Sequence, residues 1–249
     1  MGRYWSRGPR QRRIKRTRGS RRHATYFDVY GPRHIRPDSV GHLYRPASVM
    51  ILGHSFVRRL EGFMLDHFGY NHNMGFSYNT AEVMFRGIGG RTVDKLESED
   101  LPMIEHFRPD IVYLEMGTND LANPSNRPEV IGSKLDDFAN KCHAAGVGIT
   151  ILGQTIFRYP PNDERYTSKY TKFNKRVIDL NTYTSVVLDP TINDQAMYWR
   201  HIGLWNSKHP IIRIEDGVHL TDVGNYKYFK SVRGAIVHGL RKIDRKLRI

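Results

Sequence analysis

Short, unbroken apolar runs recur along this chain, and longer amphipathic stretches separate them. The runs are "SVMILG" (48–53), "AEVMFRG" (81–87), "DIVYLEMG" (110–117), "VGITILGQ" (147–154) and "SVVLD" (185–189). Runs of this length, bounded by Gly, Pro and polar turns, favour strand over helix. The stretches between them carry a helical period. "FVRRLEGFMLDHF" places Phe56, Leu60, Phe63, Met64 and Phe68 on one face, and "VDKLESEDLPMIEHF" is helical with a break near Pro102. "PEVIGSKLDDFANKCHAAG" starts on Pro and stops on Gly, as helices do. "RYTSKYTKFNKRVIDLNTY" and the C-terminal "DVGNYKYFKSVRGAIVHGLRKIDRKL" are two more helices, the last weakened by Gly234 and Gly239. Strands alternating with helices predict an α/β fold, a parallel sheet covered on both faces. With five strands the expected order is 2-1-3-4-5, and ligands then sit at the carboxyl ends of strands 1 and 3, where the order reverses.

That rule gives certain turns a meaning. Ser55 follows strand 1 in "ILGHSF", "GIGG" (87–90) follows strand 2, and "GTND" (117–120) follows strand 3. A serine before a helix is commonly only a cap, because its oxygen accepts a free backbone N–H. It is also where a nucleophile would stand, at a helix dipole that favours developing negative charge. Ester hydrolysis further needs oxyanion donors, a base, and a group to orient the base. Backbone N–H groups of Ser55 and Gly90 and the Asn119 amide are candidate donors. "DGVHLTDVG" offers a candidate base in His219 and an orienting carboxylate in Asp216. The plainer reading of that segment is an Asx-turn at Asp216 followed by a cap at Thr221.

The four segments "ILGHSF", "GIGGRT", "YLEMGTNDL" and "DGVHLTDVG" together resemble, in order and spacing, the four blocks of the SGNH (GDSL-like) hydrolases. The likeness runs from about Val49 to the final helix. It implies a three-layer, flavodoxin-like fold and esterase, lipase or deacetylase activity without metal or cofactor. It implies Ser55 as nucleophile, Asp216 and His219 as its partners, and Ser55, Gly90 and Asn119 as the oxyanion hole. The Gly-x-Ser-x-Gly elbow of the other large hydrolase class is missing, since the chain reads Gly53-His54-Ser55-Phe56-Val57.

Two positions depart from the family pattern. The usual Gly-Asp-Ser has become Gly-His54-Ser55, and His54 is read first as a structural hydrogen-bonder, with substrate contact and drift as alternatives. Arg91 stands where an acid is frequent, to suit an anionic substrate or to face solvent. Asp136 and Asp137 read as a solvated helix face. The Tyr-rich "FRYPPNDERYTSKYTKF" and "NYKYFKS" read first as packing, second as the crevice mouth or a nucleic-acid grip. No zinc-ligand spacing is visible, and "GIGGRT" lacks the Lys-Ser/Thr ending of a phosphate loop.

Charge separates a second region. The net charge is +14, of which residues 1–22 carry ten positive charges, nine Arg and one Lys, with no acid. Such a segment cannot bury enough surface to offset its ordering entropy, so residues 1–46 are expected to be a disordered arm and linker ahead of a domain over 47–249. The arm suits nonspecific nucleic-acid binding through phosphate contacts, or simply solubility. Its arrangement is similar to that of esterase domains encoded in the first reading frame of some non-LTR retrotransposons. One cysteine and no apolar run near ~20 residues point to an intracellular protein, cytoplasmic or nuclear. The resulting expectation is a serine esterase acting on a small ester substrate. An inactive hydrolase-fold binding module and a nucleic-acid-associated protein are the rivals.

Overall fold

The computed structural model describes residues 45–68, 72–159, 167–189, 193–204, 211–213 and 216–247. The basic arm and the linker up to residue 44 lie outside these residues, as does the side chain of Phe68. Strands and helices alternate: β1 (Ala47–Gly53), α1 (Ser55–Phe68), β2 (Ala81–Gly87), α2 (Leu101–Phe107), β3 (Ile111–Glu115), α3 (Pro128–Ala144), β4 (Ile149–Gly153), α4 (Thr167–Val187), β5 (Ala196–Trp199) and α5 (Asp222–Leu247). The five strands form one sheet in the order β2-β1-β3-β4-β5, and every pairing is parallel. This is the doubly wound α/β architecture expected of the chain.

Both faces of the sheet are buried, which is why its strands read as continuous apolar runs. Val49, Ile51, Ile111, Tyr113, Ile149 and Ile151 pack in one core cluster with Phe56, Leu60 and Met64 of α1 and Tyr228, Val232 and Ile236 of α5. Met50, Leu52, Val112, Leu114 and Leu152 belong to the opposite cluster, with Ile104 of α2, Leu135 and Phe138 of α3, and Val177 and Leu180 of α4. Neighbouring residues on a strand therefore serve different layers, as a two-residue side-chain period requires. Below the sheet's amino edge, Asp110 accepts from the Ser48 N–H at 2.7 Å and pairs with the Arg45 guanidinium at 2.8 Å.

The fifth strand is not where the sequence puts it. "SVVLD" (185–189) covers the last residues of α4 and the turn that follows, and β5 is "AMYW" at 196–199. Val177, Leu180, Thr184 and Leu188 are buried at helical spacing while Val186 is 61% exposed, so the helical period of α4 overrides the local β-propensity of two adjacent valines. The true strand is a four-residue edge, introduced by an Asx-turn in which Asn193 Oδ1 accepts from the Gln195 and Ala196 N–H groups. The stretch 93–107 is also two elements. A wide helical turn over Leu96–Asp100 precedes α2, and Pro102 lies in the first turn of α2, where its missing N–H costs nothing. Among the described residues no helix is long and apolar enough to cross a membrane.

The end of β2 comes close to the start of α1. A Cβ at Gly87 would lie 2.1 Å from the Arg58 nitrogen and 2.5 Å from its Cα. Backbone cannot move aside as a flexible side chain does, so Gly87→Ala should lower stability by about 1–3 kcal/mol. The expected observation is a lower urea midpoint at unchanged m-value.

Candidate active site

Parallel strands deliver their carboxyl ends to one edge, and there the crevice residues meet. Strand β1 ends at Gly53, and Ser55 opens α1. The Ser55 Oγ lies 3.1 Å from His219 Nε2, across 164 residues of sequence. His219 Nδ1 lies 2.8 Å from Asp216 Oδ2. The other Asp216 oxygen accepts the Val218 and His219 backbone N–H groups at 2.7 and 2.8 Å. The plain and the chemical readings of "DGVH" are therefore the same geometry: the Asx-turn is what fixes the carboxylate under the imidazole. Thr221 also caps α5, its Oγ1 accepting the Gly224 N–H at 3.2 Å. Burial alone pushes the Asp216 pKa up, but the two backbone donors and the imidazole outweigh it and hold the carboxyl below its ordinary range.

The two other turns are joined to each other. Asn119 donates its side-chain amide to the Arg91 carbonyl at 2.9 Å, which leaves a second N–H on the same nitrogen. Gly90 has a φ of +75° with open space where a Cβ would stand, a turn that glycine enters without strain. Among the described residues neither the Ser55 nor the Gly90 N–H is donated to another backbone carbonyl. Asp120 Oδ1 accepts the Val93 N–H at 2.9 Å and ties the turn after β3 to the segment after Arg91.

Arg91 does neither of the things expected of it. Its side chain is buried, with one nitrogen on Asp100 at 3.0 Å and another bonded to Glu99. It faces neither solvent nor crevice, and only its backbone takes part in the site. His54 is also buried, at 1% exposure. Its Nδ1 accepts the Phe56 N–H at 3.3 Å, and its ring packs edge-on against Phe56 at 4.9 Å. Burial, reinforced by the Arg158 and His219 charges and opposed by Glu115, lowers its pKa from 6.5 to about 4.

Residues 57–227 match the model of the GDSL-like Lipase/Acylhydrolase family. The chain belongs to that family. The match begins two residues after Ser55, so the serine's part in the site is carried by the geometry above. Solved structures share the fold at low identity. A candidate acylhydrolase from Bacteroides fragilis superposes with a TM-score of 0.62 at 17% identity, covering 87% of this chain and 99% of that one. A GDSL-like lipase from Bacteroides thetaiotaomicron gives 0.55 at 16%, covering 78% and 91%. An acetylxylan esterase from Geobacillus stearothermophilus gives 0.54 at 14%, covering 82% and 96%. No curated protein is similar enough in sequence to count as a match.

Three features of this GDSL-like hydrolase escape sequence reasoning. Glu115, at the end of β3, is buried and accepts on Oε2 from the Tyr113 and Tyr228 hydroxyls, each at 2.9 Å, with His201 Nε2 at 3.2 Å. Burial raises its pKa, but these partners outweigh that and leave it below the ordinary value. A carboxylate inside the apolar run "IVYLEMG" was the available signal, since a charge in a buried strand demands partners. Arg158 donates to the Thr118 carbonyl at 3.0 Å, and the Tyr170 hydroxyl donates to the Asp216 carbonyl at 3.3 Å. Neither has a signal in local spacing. "NYKYFKS" is chiefly packing, with Tyr228 and Phe229 buried.

The depressed His54 pKa has a sign that can be worked out. Between pH 4 and 6.5 the unfolded chain binds a proton at His54 that the native chain refuses, so stability is complete above 6.5 and falls as pH drops toward 4. From pH 7 to 5 the loss attributable to this group is about 2 kcal/mol. Urea unfolding at the two pH values should show that loss in the wild type and a correspondingly shallower one in His54→Asn.

Proposed function

We propose that this GDSL-like hydrolase is a serine esterase that works through an acyl-enzyme. The observation that carries the reading is the Ser55–His219–Asp216 relay, at 3.1 and 2.8 Å. His219 takes the Ser55 proton as Oγ attacks the ester carbonyl, while Asp216 holds the imidazole with Nε2 toward the serine. The developing oxyanion is received by the Ser55 N–H, the Gly90 N–H and the free N–H of the Asn119 amide. His219 then protonates the departing alcohol, activates water, and the acid leaves. His54, neutral and enclosed, keeps the backbone turn at the serine in place and takes no proton from the reaction. The esterases among the fold neighbours accord with this reading and leave the acyl group open.

Ser55→Ala should lower kcat on a short-chain p-nitrophenyl ester by roughly 10⁴-fold, and it should abolish labelling by a fluorophosphonate probe. Equal rates in the two proteins would remove the esterase reading for that substrate class. Asn119→Ala should cost ~10²–10³ in kcat, the usual effect of one oxyanion donor.

The arm adds a second property. Ten positive charges without an acid in residues 1–22 support nonspecific nucleic-acid binding, and one buried cysteine accords with a reducing, intracellular setting. Deleting residues 1–22 should abolish most binding to an unstructured oligonucleotide and flatten its dependence on salt. Unchanged affinity would assign the binding elsewhere.

A further inference from the structure

An open cavity of about 620 Å³ lies between the turn after β3, the chain after β4 and the first turns of α4. Among the described residues that line it four are cationic, Arg158, Lys169, Lys172 and Arg176, and none is acidic. Phe173 and Tyr170 supply its apolar surface. The volume is that of a small-molecule site.

The arginines form the inner wall. Arg158 stacks over the Phe173 ring at 4.3 Å and spends one terminal nitrogen on the Thr118 carbonyl and hydroxyl, at 3.0 and 3.3 Å. Its Nε is buried without a hydrogen-bond partner among the described residues. Arg176 donates to the carbonyls of Leu121, Asn123 and Asn126. Carbonyls satisfy donors but leave the charge unbalanced, and among the described residues none of the four cations has a carboxylate within ion-pair distance. Some cations elsewhere in the domain, among them Arg86, Arg91, Lys95, Lys134 and Lys141, do pair with acids. Lys169 and Lys172 are exposed and form the rim.

The cavity is also tied to the crevice on two sides. Thr118, which Arg158 holds, is the neighbour of Asn119. The Tyr170 hydroxyl bonds to the Asp216 carbonyl, and the Tyr159 N–H donates to Gly217 at 2.7 Å. A group bound here therefore sits beside both the oxyanion turn and the loop that carries the base.

We propose that this cavity is a subsite for a phosphate group carried by the ester substrate, resting on the esterase reading given above. A dianion suits four cations that have no carboxylate partner among the described residues better than a single carboxylate does, guanidinium forks match phosphate oxygens, and the two rings accept the apolar body joined to it. Phosphate on a soluble alcohol and phosphate at the surface of a lipid aggregate present the same chemistry to these side chains.

The test compares 1-butyrylglycerol 3-phosphate with 1-butyrylglycerol on the full-length chain at low salt. The wild type should favour the phosphorylated ester at least tenfold in kcat/KM, and Lys169→Glu/Lys172→Glu should bring the ratio to within about twofold of one. A ratio is read so that a general loss of folded protein cancels. Repeating the pair with palmitoyl chains, which aggregate, identifies the source: preference at either chain length supports the subsite and tells which presentation it takes. A wild-type ratio near one at both lengths, or a preference that survives charge reversal, overturns it. Calorimetric titration of glycerol 3-phosphate separates this proposal from the esterase reading, because binding needs no turnover. The arm's charges are common to both proteins, so a Kd at least tenfold weaker in the double variant supports the subsite. Equal affinities overturn it even if neither ester is hydrolysed.

Discussion

A single buried carboxylate organises the floor of the crevice. Glu115 ends the central strand β3, and its partners come from three places: Tyr113 on the same strand, Tyr228 on α5, and His201 just after the edge strand β5. Withdrawing a carboxylate from water costs several kcal/mol, recovered only if good donors converge on it. Those donors must come from parts of the chain that are far apart, so the charge fixes where α5 and the sheet edge lie relative to β3. The connection runs on: His201 Nδ1 is 2.8 Å from the Ser231 hydroxyl of α5, which also accepts from Trp199. Above this floor Phe56 touches both Tyr228 and His219 by ring edges. The position of His219 over Ser55 thus depends on a network that includes neither side chain.

Local bonding then refines what the network places. Asp216 is oriented by two N–H groups from its own turn, and Asn119 by its bond to Arg91. His54 shows how a departure from the family pattern is absorbed. An imidazole nitrogen can accept the Phe56 N–H as a carboxylate oxygen would, but it brings no negative charge to the serine. The turn is retained and the electrostatics beside Ser55 change.

The sheet was legible in the sequence because parallel strands buried on both faces leave continuous apolar runs, and Pro128 and Gly146 bracket α3 in plain view. That separate turns meet at one edge was legible because the strand order sends them there. What was not legible depended on context. The valines at 186 and 187 look like a strand until the burial of Leu180, Thr184 and Leu188 shows the helix period running through them, while the real β5, four residues long, is too short to announce itself. Arg91 read as a charge for an anionic substrate or for solvent because its partners, Glu99 and Asp100, lie in a helical turn whose geometry no local rule supplies. Glu115 needed partners more than 80 residues downstream, and a one-dimensional reading does not reveal such pairings.

The Arg91 contacts have a wider meaning. Its carbonyl holds the Asn119 amide while its guanidinium is clamped by Glu99 and Asp100, so the mouth of the crevice and an acidic helical turn near the surface form one mechanical unit. Sensitivity to change in this enzyme is therefore not graded by distance from the serine. Replacing the acid at position 99 or 100 would be felt as a loosened turn at Asn119.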